Sequence, residues 1–538
     1  MTRARTGLLA ALLAAAWTSP AAADTAYSLT ETLVGEWLWD NGNTSPDDDY
    51  YGDIKNRLNV SIQAEGVDLG FRVDTSTFRF LYPSWMGDET TEERAERERL
   101  YYRRHGIEPD EAGEYGHVGD YRLERAYARV RLTDDWTVTG GDFYAHLGRG
   151  LVLSLRKEDE LGLDSALRGA RLDGRVADRV DVLAMAGLVN VTNVEDRYNL
   201  ISQDPLDLVS AGQVGVEIWS GNRVLLHAAD YRPHAGGGEQ TDLVAFGGAL
   251  DFPELPGGLR LYAEADGLHR SFQEDRSDDG FALWADAGGA WGPVQLRLEY
   301  KEYRDFDILS TSQDALGVRW PYNRPPIADQ EDQLIESEYN VRGGRLRVDY
   351  QILDWLAVYA ACAGSQDLSE AEHHAVHGYA GVEATWDDGR SAARLSGGYR
   401  HAWQPALDGG FETYRTLWHV KFDLGLHLWG PLSLSAMVLH EEWERDDYGT
   451  RLEYRRGTTG LSLDWAGIGG VIGTFEYDTE QARWDHWFGS AGLQWFALDW
   501  LTIRAKVGSQ RGGLKCLGGV CRQFPPFDGM RLEFVFRL

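Results

Sequence analysis

Apolar and polar residues alternate along most of this chain, in segments of about ten to fourteen residues that each end in a turn signal. In residues 418–428, Trp418, Val420, Phe422, Leu424, Leu426 and Leu428 fall on one side of an extended strand. His419, Lys421, Asp423, Gly425 and His427 fall on the other, because successive side chains of a strand point to opposite faces. Leu58, Val60 and Ile62 alternate in the same way with Arg57, Asn59 and Ser61, and Val294, Leu296, Leu298 and Tyr300 with Gln295, Arg297, Glu299 and Lys301. Toward the C-terminus Leu501, Ile503, Ala505 and Val507 oppose Thr502, Arg504 and Lys506, while Leu532, Phe534, Phe536 and Leu538 oppose Arg531, Glu533 and Arg537. The pattern predicts an all-β chain whose strands have one oily and one charged face.

A soluble sandwich would also alternate, so the connections decide between the two. Tight ones, such as Thr133-Asp134-Asp135, Trp291-Gly292-Pro293, Asp387-Asp388-Gly389 and Leu428-Trp429-Gly430-Pro431, interleave with longer polar ones. Aromatic residues sit beside the tight turns, at Trp136, Trp355 and Trp500. Short turns on one side, long loops on the other and interfacial aromatics are the marks of a transmembrane barrel. Counting hairpins predicts a single large antiparallel up-and-down β-barrel of about 24 strands (range about 22 to 26), with short periplasmic turns and long extracellular loops. Residues 24–538 form one domain on this reading, since a closed sheet cannot be divided without exposing edges. The first strand begins near Tyr27, which leaves no room for a separate plug domain ahead of it, and the chain stops on a strand.

Residues 1–23 read as a cleaved signal peptide: Arg3 and Arg5, an apolar core from Gly7 to Trp17, then Ala21-Ala22-Ala23 before Asp24. The expected location is therefore the outer membrane of a Gram-negative bacterium, with the lipid bilayer and lipopolysaccharide as surroundings. The formal net charge of −32 excludes nucleic acid as a default partner, because phosphate binding needs clustered positive charge. Three cysteines are present. Cys516 and Cys521 flank a Gly-rich stretch and could close a small disulfide loop in an oxidising compartment, and Cys362 reads as a small buried or lipid-facing hydrophobe.

One stretch carries a family resemblance. Gly141-Asp142-Phe143-Tyr144, then Leu147-Gly148-Arg149-Gly150-Leu151-Val152-Leu153, Leu161-Gly162-Leu163-Asp164 and Gly169-Ala170 resemble the signature of an uncharacterised family of exported, porin-like barrel proteins, known only as a domain of unknown function. Leu147 stands where an aromatic residue is commoner. Many outer-membrane barrels end in Phe or Trp; Leu538 departs from this, so the barrel-assembly machinery would have to engage the C-terminal strand through Phe534 and Phe536. The resemblance implies fold and location and no reaction.

With the oily faces turned to lipid, Arg72, Arg129, Arg131, Arg171, Arg260, Arg297, Arg345, Arg347, Arg394, Lys421, Arg504, Lys506 and Arg531 face the lumen as a basic belt. Asp74, Asp173, Glu264, Glu299, Asp349, Asp423 and Glu533 share those faces as acidic partners. Such a belt either attracts anionic solutes or braces the wall by cross-strand pairing. Barrels of this size are usually plugged. One or more of the segments 82–118, 305–335 and Gly140–Gly162 is therefore expected to fold inward. Asp47-Asp48-Asp49 and the group Asp275, Asp278, Asp279 read as solvated acidic loops; His373, His374 and His377 lack a third ligand at metal spacing. With no GxxxxGK[ST] frame and no G-x-S-x-G elbow, no enzyme, metal or cofactor is expected. The function expected is a porin-like channel for small hydrophilic, possibly anionic, solutes, the alternative being a sheath that holds a partner protein or exported polymer in its lumen.

Overall fold

The computed structural model describes residues 25–40, 51–80, 118–158, 162–195, 200–201, 203–234, 240–273, 276–313, 319–328, 339–369, 373–404, 413–447, 449–480, 487–517, 520–524 and 526–538. Setting aside the two-residue strand Lys157–Glu158, twenty-four described strands form one closed antiparallel cylinder, from Ala26–Leu38 to Phe527–Arg537. Neighbours in sequence are neighbours in space throughout. The cylinder closes where Ala26–Leu38 pairs with Phe527–Arg537, in register from Thr30 opposite Arg537 to Leu38 opposite Gly529. Two further bonds extend the seam: Leu29 N–H donates to the Leu538 carbonyl at 2.9 Å and Leu538 N–H to the Leu29 carbonyl at 2.8 Å. Closure removes the edge that an open sheet would present to other chains.

Eleven described hairpin turns lie at the end of the cylinder that also holds Leu29 and Leu538, among them Glu65-Gly66, Ser220-Gly221 and Gly292-Pro293. Asp387 and Asp388 both take positive φ, 55° and 54°, as the turn linking His374–Trp386 to Ser391–Gln404 requires. Connections at the opposite end are mostly longer, although Asp447 and Thr450 are joined by only two residues.

The alternation sorts side chains as the pattern predicts. Leu298, Leu346, Trp418, Val420 and Leu493 are exposed on the outside. Exposed Trp219, Trp291, Trp355, Trp429 and Trp500 make a collar beside the tight turns, and Trp37, Phe281, Trp418 and Trp487 lie toward the other rim. An apolar belt between aromatic collars suits acyl chains and interfaces rather than bulk water.

The interior differs from the expectation of a polar wall all round. Met185, Val189, Val209, Leu225, Tyr231, Leu243, Ala245, Trp284 and Tyr303 point inward and are buried. They meet the buried residues Leu147, Leu151, Val152, Leu153 and Leu155, together with Phe306, Ile308, Trp320 and Tyr322. An arc of wall is therefore largely apolar on its inner face as well as its outer one, because it supports a core inside the barrel. The rest of the wall keeps charged residues inward.

Candidate functional site

Among the described residues, two chain segments build the inner core. The first leaves the strand Trp136–Phe143 and turns sharply at Leu147–Gly150, where Gly150 N–H donates to the Leu147 carbonyl at 2.8 Å. Gly148 and Gly150 take φ of +50° and +87°, which glycine adopts without a Cβ clash. The turn presents Leu147, Leu151 and Leu153 to the wall. The second segment follows Val294–Arg304 and runs inward through Phe306 and Ile308 to Tyr322 and Arg324.

Backbone groups inside a barrel need partners as much as those in any core. Ser154 N–H donates to the Tyr322 carbonyl at 2.8 Å, and Arg324 N–H to the Gly150 carbonyl at 2.9 Å. Asn323 Nδ2 donates to the Leu151 carbonyl at 2.9 Å. The wall supplies the rest. Tyr231 Oη donates to the Val152 carbonyl at 2.6 Å, Gly148 N–H to Gln213 Oε1 at 3.0 Å, and Arg149 N–H to Glu264 Oε2 at 2.7 Å. Tyr322 Oη donates to Asp207 Oδ2 at 2.6 Å, and its ring stacks on Tyr231 with centroids 6.0 Å apart. Burial and the Asp207 carboxylate push the Tyr322 phenol well above its ordinary range, so it remains a donor. The two segments form one plug docked on the apolar arc.

Beside the plug lies a cavity of about 1010 Å³. Arg57, Arg72, Arg125, Arg129, Arg131, Lys157 and Arg171 line it, against Asp68, Asp142 and Asp173. A β-bulge shapes one side of it: Arg125 stands opposite Arg72 and Leu123 opposite Val73, so Glu124 is the extra residue. Leu123 points outward, while Glu124 and Arg125 are both buried. Arg72 and Arg125 converge on Asp164 at 2.5 and 2.7 Å, and Arg72 also pairs with Asp74. Arg168 grips Asp142 at 3.0 Å, and Asn190 Nδ2 donates to the same carboxylate at 2.7 Å. This buried lattice fixes the root of the plug. Arg129 and Arg131 stay exposed toward the cavity, Arg129 only 3.9 Å from Asp68 and Arg131 in no ion pair within the described residues. Even with Asp74 and Asp164 counted, the cavity carries net positive charge.

The remaining belt residues are spread round the wall, most of them paired. Arg171 contacts Asp173 at 2.6 Å; Arg297 contacts Asp286 at 2.7 Å and Glu299 at 2.9 Å; Arg345 contacts Glu299 at 3.1 Å and donates to the Ala328 carbonyl at 3.0 Å. Arg347 pairs with Asp349 at 2.7 Å and lies 4.2 Å from the Tyr359 ring centroid; Arg394 reaches Glu383 at 3.3 Å and Tyr359 Oη at 2.9 Å. Lys421 lies 3.5 Å from Asp423, Arg504 2.6 Å from Glu533, and Arg531 2.8 Å from Glu36; Lys506 bonds Gln510. Arg260 makes no ion pair within the described residues. Of the thirteen, Arg72, Arg129, Arg131 and Arg171 come together at the cavity. Glu264 pairs with no belt arginine; it holds the plug backbone and lies 3.6 Å from His227.

Other sequence candidates resolve differently. His377 Nε2 meets His419 Nε2 at 2.8 Å, and His374 stacks on Trp403. Asp278 and Asp279 pair with Arg270 and His269 at 3.3 and 2.7 Å. Cys362 is exposed on the outer face, and a hairpin sets Cys516 opposite Cys521 in the backbone. Asp47, Asp48, Asp49, Asp275 and most of segment 82–118 lie outside the described residues. The alternation placed Arg57 on the polar face but did not mark Arg125, Tyr231, Asp207 and Tyr322; only the bulge, the second segment's path and distant pairings bring these four to the site.

Fold and interior together define a large, self-plugged β-barrel of the outer-membrane type. Residues 114–200, which contain the plug root and turn, match a family of unknown function (DUF6029). No curated protein matches the sequence. Among solved structures, the chain is similar to the siderophore receptor PirA from Pseudomonas aeruginosa, with 10% identity over 95% of this chain and 80% of that one and a TM-score of 0.46. It is also similar to the translocation pore of the P pilus usher PapC (9% identity, 95% and 99% covered, TM-score 0.40) and to OccK9 (OpdG) of Pseudomonas aeruginosa (12%, 73% and 96%, TM-score 0.37).

Proposed function

We propose that this protein is a channel of the Gram-negative outer membrane that passes small hydrophilic, preferentially anionic, solutes past a plug made from its own inward-folded segments. One observation carries the reading: the plug leaves beside it a cavity of about 1010 Å³ whose charged lining side chains are seven cations against three carboxylates. A positive lining in a narrow, low-dielectric passage concentrates anions and repels cations. On this reading residues 1–23 direct export and are removed, the short turns face the periplasm, and the aromatic collars sit at the two interfaces against lipid and lipopolysaccharide. Assembly machinery would receive the strand ending in Leu538.

The paired arginines elsewhere brace the wall, since mutual pairing cancels most of their field at a distance. Selectivity is accordingly assigned to the cavity and not to the whole belt. A sheath for a threaded partner is the less favoured reading, because the chain's own segments occupy part of the lumen. The test is single-channel recording of purified full-length protein in planar bilayers, with reversal potentials measured across a salt gradient. An anion-selective current supports the channel; a silent bilayer with folded protein removes it.

A further inference from the structure

Away from the basic cavity, the inner wall carries a cluster that no arginine neutralises. His227, on the strand Asn222–Arg232, lies directly opposite Gly247, and Gly247 lies opposite Asp266 on the strand Leu259–Phe272. The missing side chain at position 247 lets imidazole and carboxylate meet across it. His227 Nε2 lies 2.7 Å from Asp266 Oδ1, and a Cβ on residue 247 would fall 2.1 Å from that oxygen. Glu264, two residues earlier on the same face, brings Oε1 to 3.6 Å from Nε2. The plug tip closes the cluster. A Cβ on Gly148 would stand 2.2 Å from Glu264 Oε1, and the next N–H, from Arg149, donates to Glu264 Oε2. Two glycines, one in the wall and one in the plug, thus keep this space clear.

Side chains of His227, Glu264 and Asp266 are fully buried. Within the described residues His227 Nδ1, Glu264 Oε1 and Asp266 Oδ2 have no hydrogen-bond partner. Two carboxylates held this close in a dry wall repel each other, and one imidazole supplies at most a single positive charge. A divalent cation would neutralise both carboxylates and engage the unpartnered oxygens of Glu264 and Asp266. The ligand atoms, one nitrogen and two oxygens, lie within 4.8 Å of one another. That donor set suits a first-row transition ion such as Zn²⁺, whereas Ca²⁺ favours six or more oxygens. The geometry points to a divalent transition-metal site formed by His227, Glu264 and Asp266, which pins the plug tip to the wall through Glu264. The site goes beyond the channel reading and does not depend on it.

The test uses full-length protein in detergent, its fold checked by heat-modifiable electrophoretic mobility, stripped with a chelator and dialysed against Zn²⁺. Wild type should retain one Zn²⁺ per barrel more than the folded double variant His227→Gln/Asp266→Asn, since surface histidines such as His427 contribute equally to both. Glu264→Gln keeps the shape of its parent and should bind this Zn²⁺ at least tenfold more weakly. Co²⁺ in place of Zn²⁺ should give the intense visible bands of a low-coordinate site in wild type alone. Equal Zn²⁺ content in wild type and double variant, or unchanged affinity in Glu264→Gln, would overturn the proposal.

Discussion

At the scale of single residues, two arginines and one tyrosine carry most of the functional argument. Arg131 faces the cavity in no ion pair within the described residues, and exposed Arg129 beside it makes only a long contact of 3.9 Å with Asp68, so their charge is felt by a passing ion. The double variant Arg129→Glu/Arg131→Glu should shift the reversal potential toward cation selectivity while leaving the barrel folded, because neither side chain is buried. Replacing a paired wall residue, as in Lys421→Gln, should leave selectivity unchanged. Tyr322 plays a different part. Tyr322→Phe deletes one of the hydrogen bonds that the buried Asp207 carboxylate accepts, a loss of about 1 to 3 kcal/mol in plug docking. Channel recordings should then show more frequent transitions to a larger conductance, and hydrogen exchange in residues 147–155 should quicken. The aromatic stack on Tyr231 is retained in this variant, so the change reads the hydrogen bond alone.

Among the elements, the strands were legible in the sequence and the plug was legible only as a need. Period-two alternation is a local property, so Trp418, Val420 and Leu298 could be assigned outward from their immediate neighbours. The arc holding Met185, Val189, Val209 and Leu225 was not recognised as lining a core. Strands there are largely apolar on both faces, and alternation loses its contrast. Gly148 and Gly150 hinted at a turn, but the turn's docking rests on contacts such as Asn323 with Leu151, 172 residues apart. Likewise the bulge at Glu124 shifts phase within one strand, which put Arg125 beyond reach of a simple pattern. His227, Glu264 and Asp266 come from two strands separated by a third, so no sequence spacing announces them. Deleting residues 147–153 and closing the gap with a short Gly-Ser link should enlarge the single-channel conductance without unfolding the cylinder, whose ladders do not involve those residues. An unchanged conductance would mean that this segment does not restrict the path. The hairpin that aligns Cys516 with Cys521 should yield a disulfide-linked peptide by mass spectrometry of protein purified without reductant.

For the whole molecule, closure and contents depend on each other. Twenty-four strands enclose more space than their own side chains can fill, and the two inward segments use an apolar arc of wall to fill part of it. What remains beside the plug is a cavity of about 1010 Å³ with seven basic side chains in its lining. The outer surface makes its own demand, because exposed Trp418, Leu298 and Trp429 would drive aggregation in water. Protein refolded without detergent or lipid should therefore precipitate, and addition of lipid vesicles during refolding should keep it in a heat-modifiable, protease-resistant form.

The most direct measurement is the reversal potential of wild-type channels in planar bilayers under a KCl gradient. A plugged barrel with a cationic passage predicts small, discrete conductance steps and a potential displaced toward that of chloride. Potassium selectivity, or a large unselective conductance from fully folded protein, would contradict it.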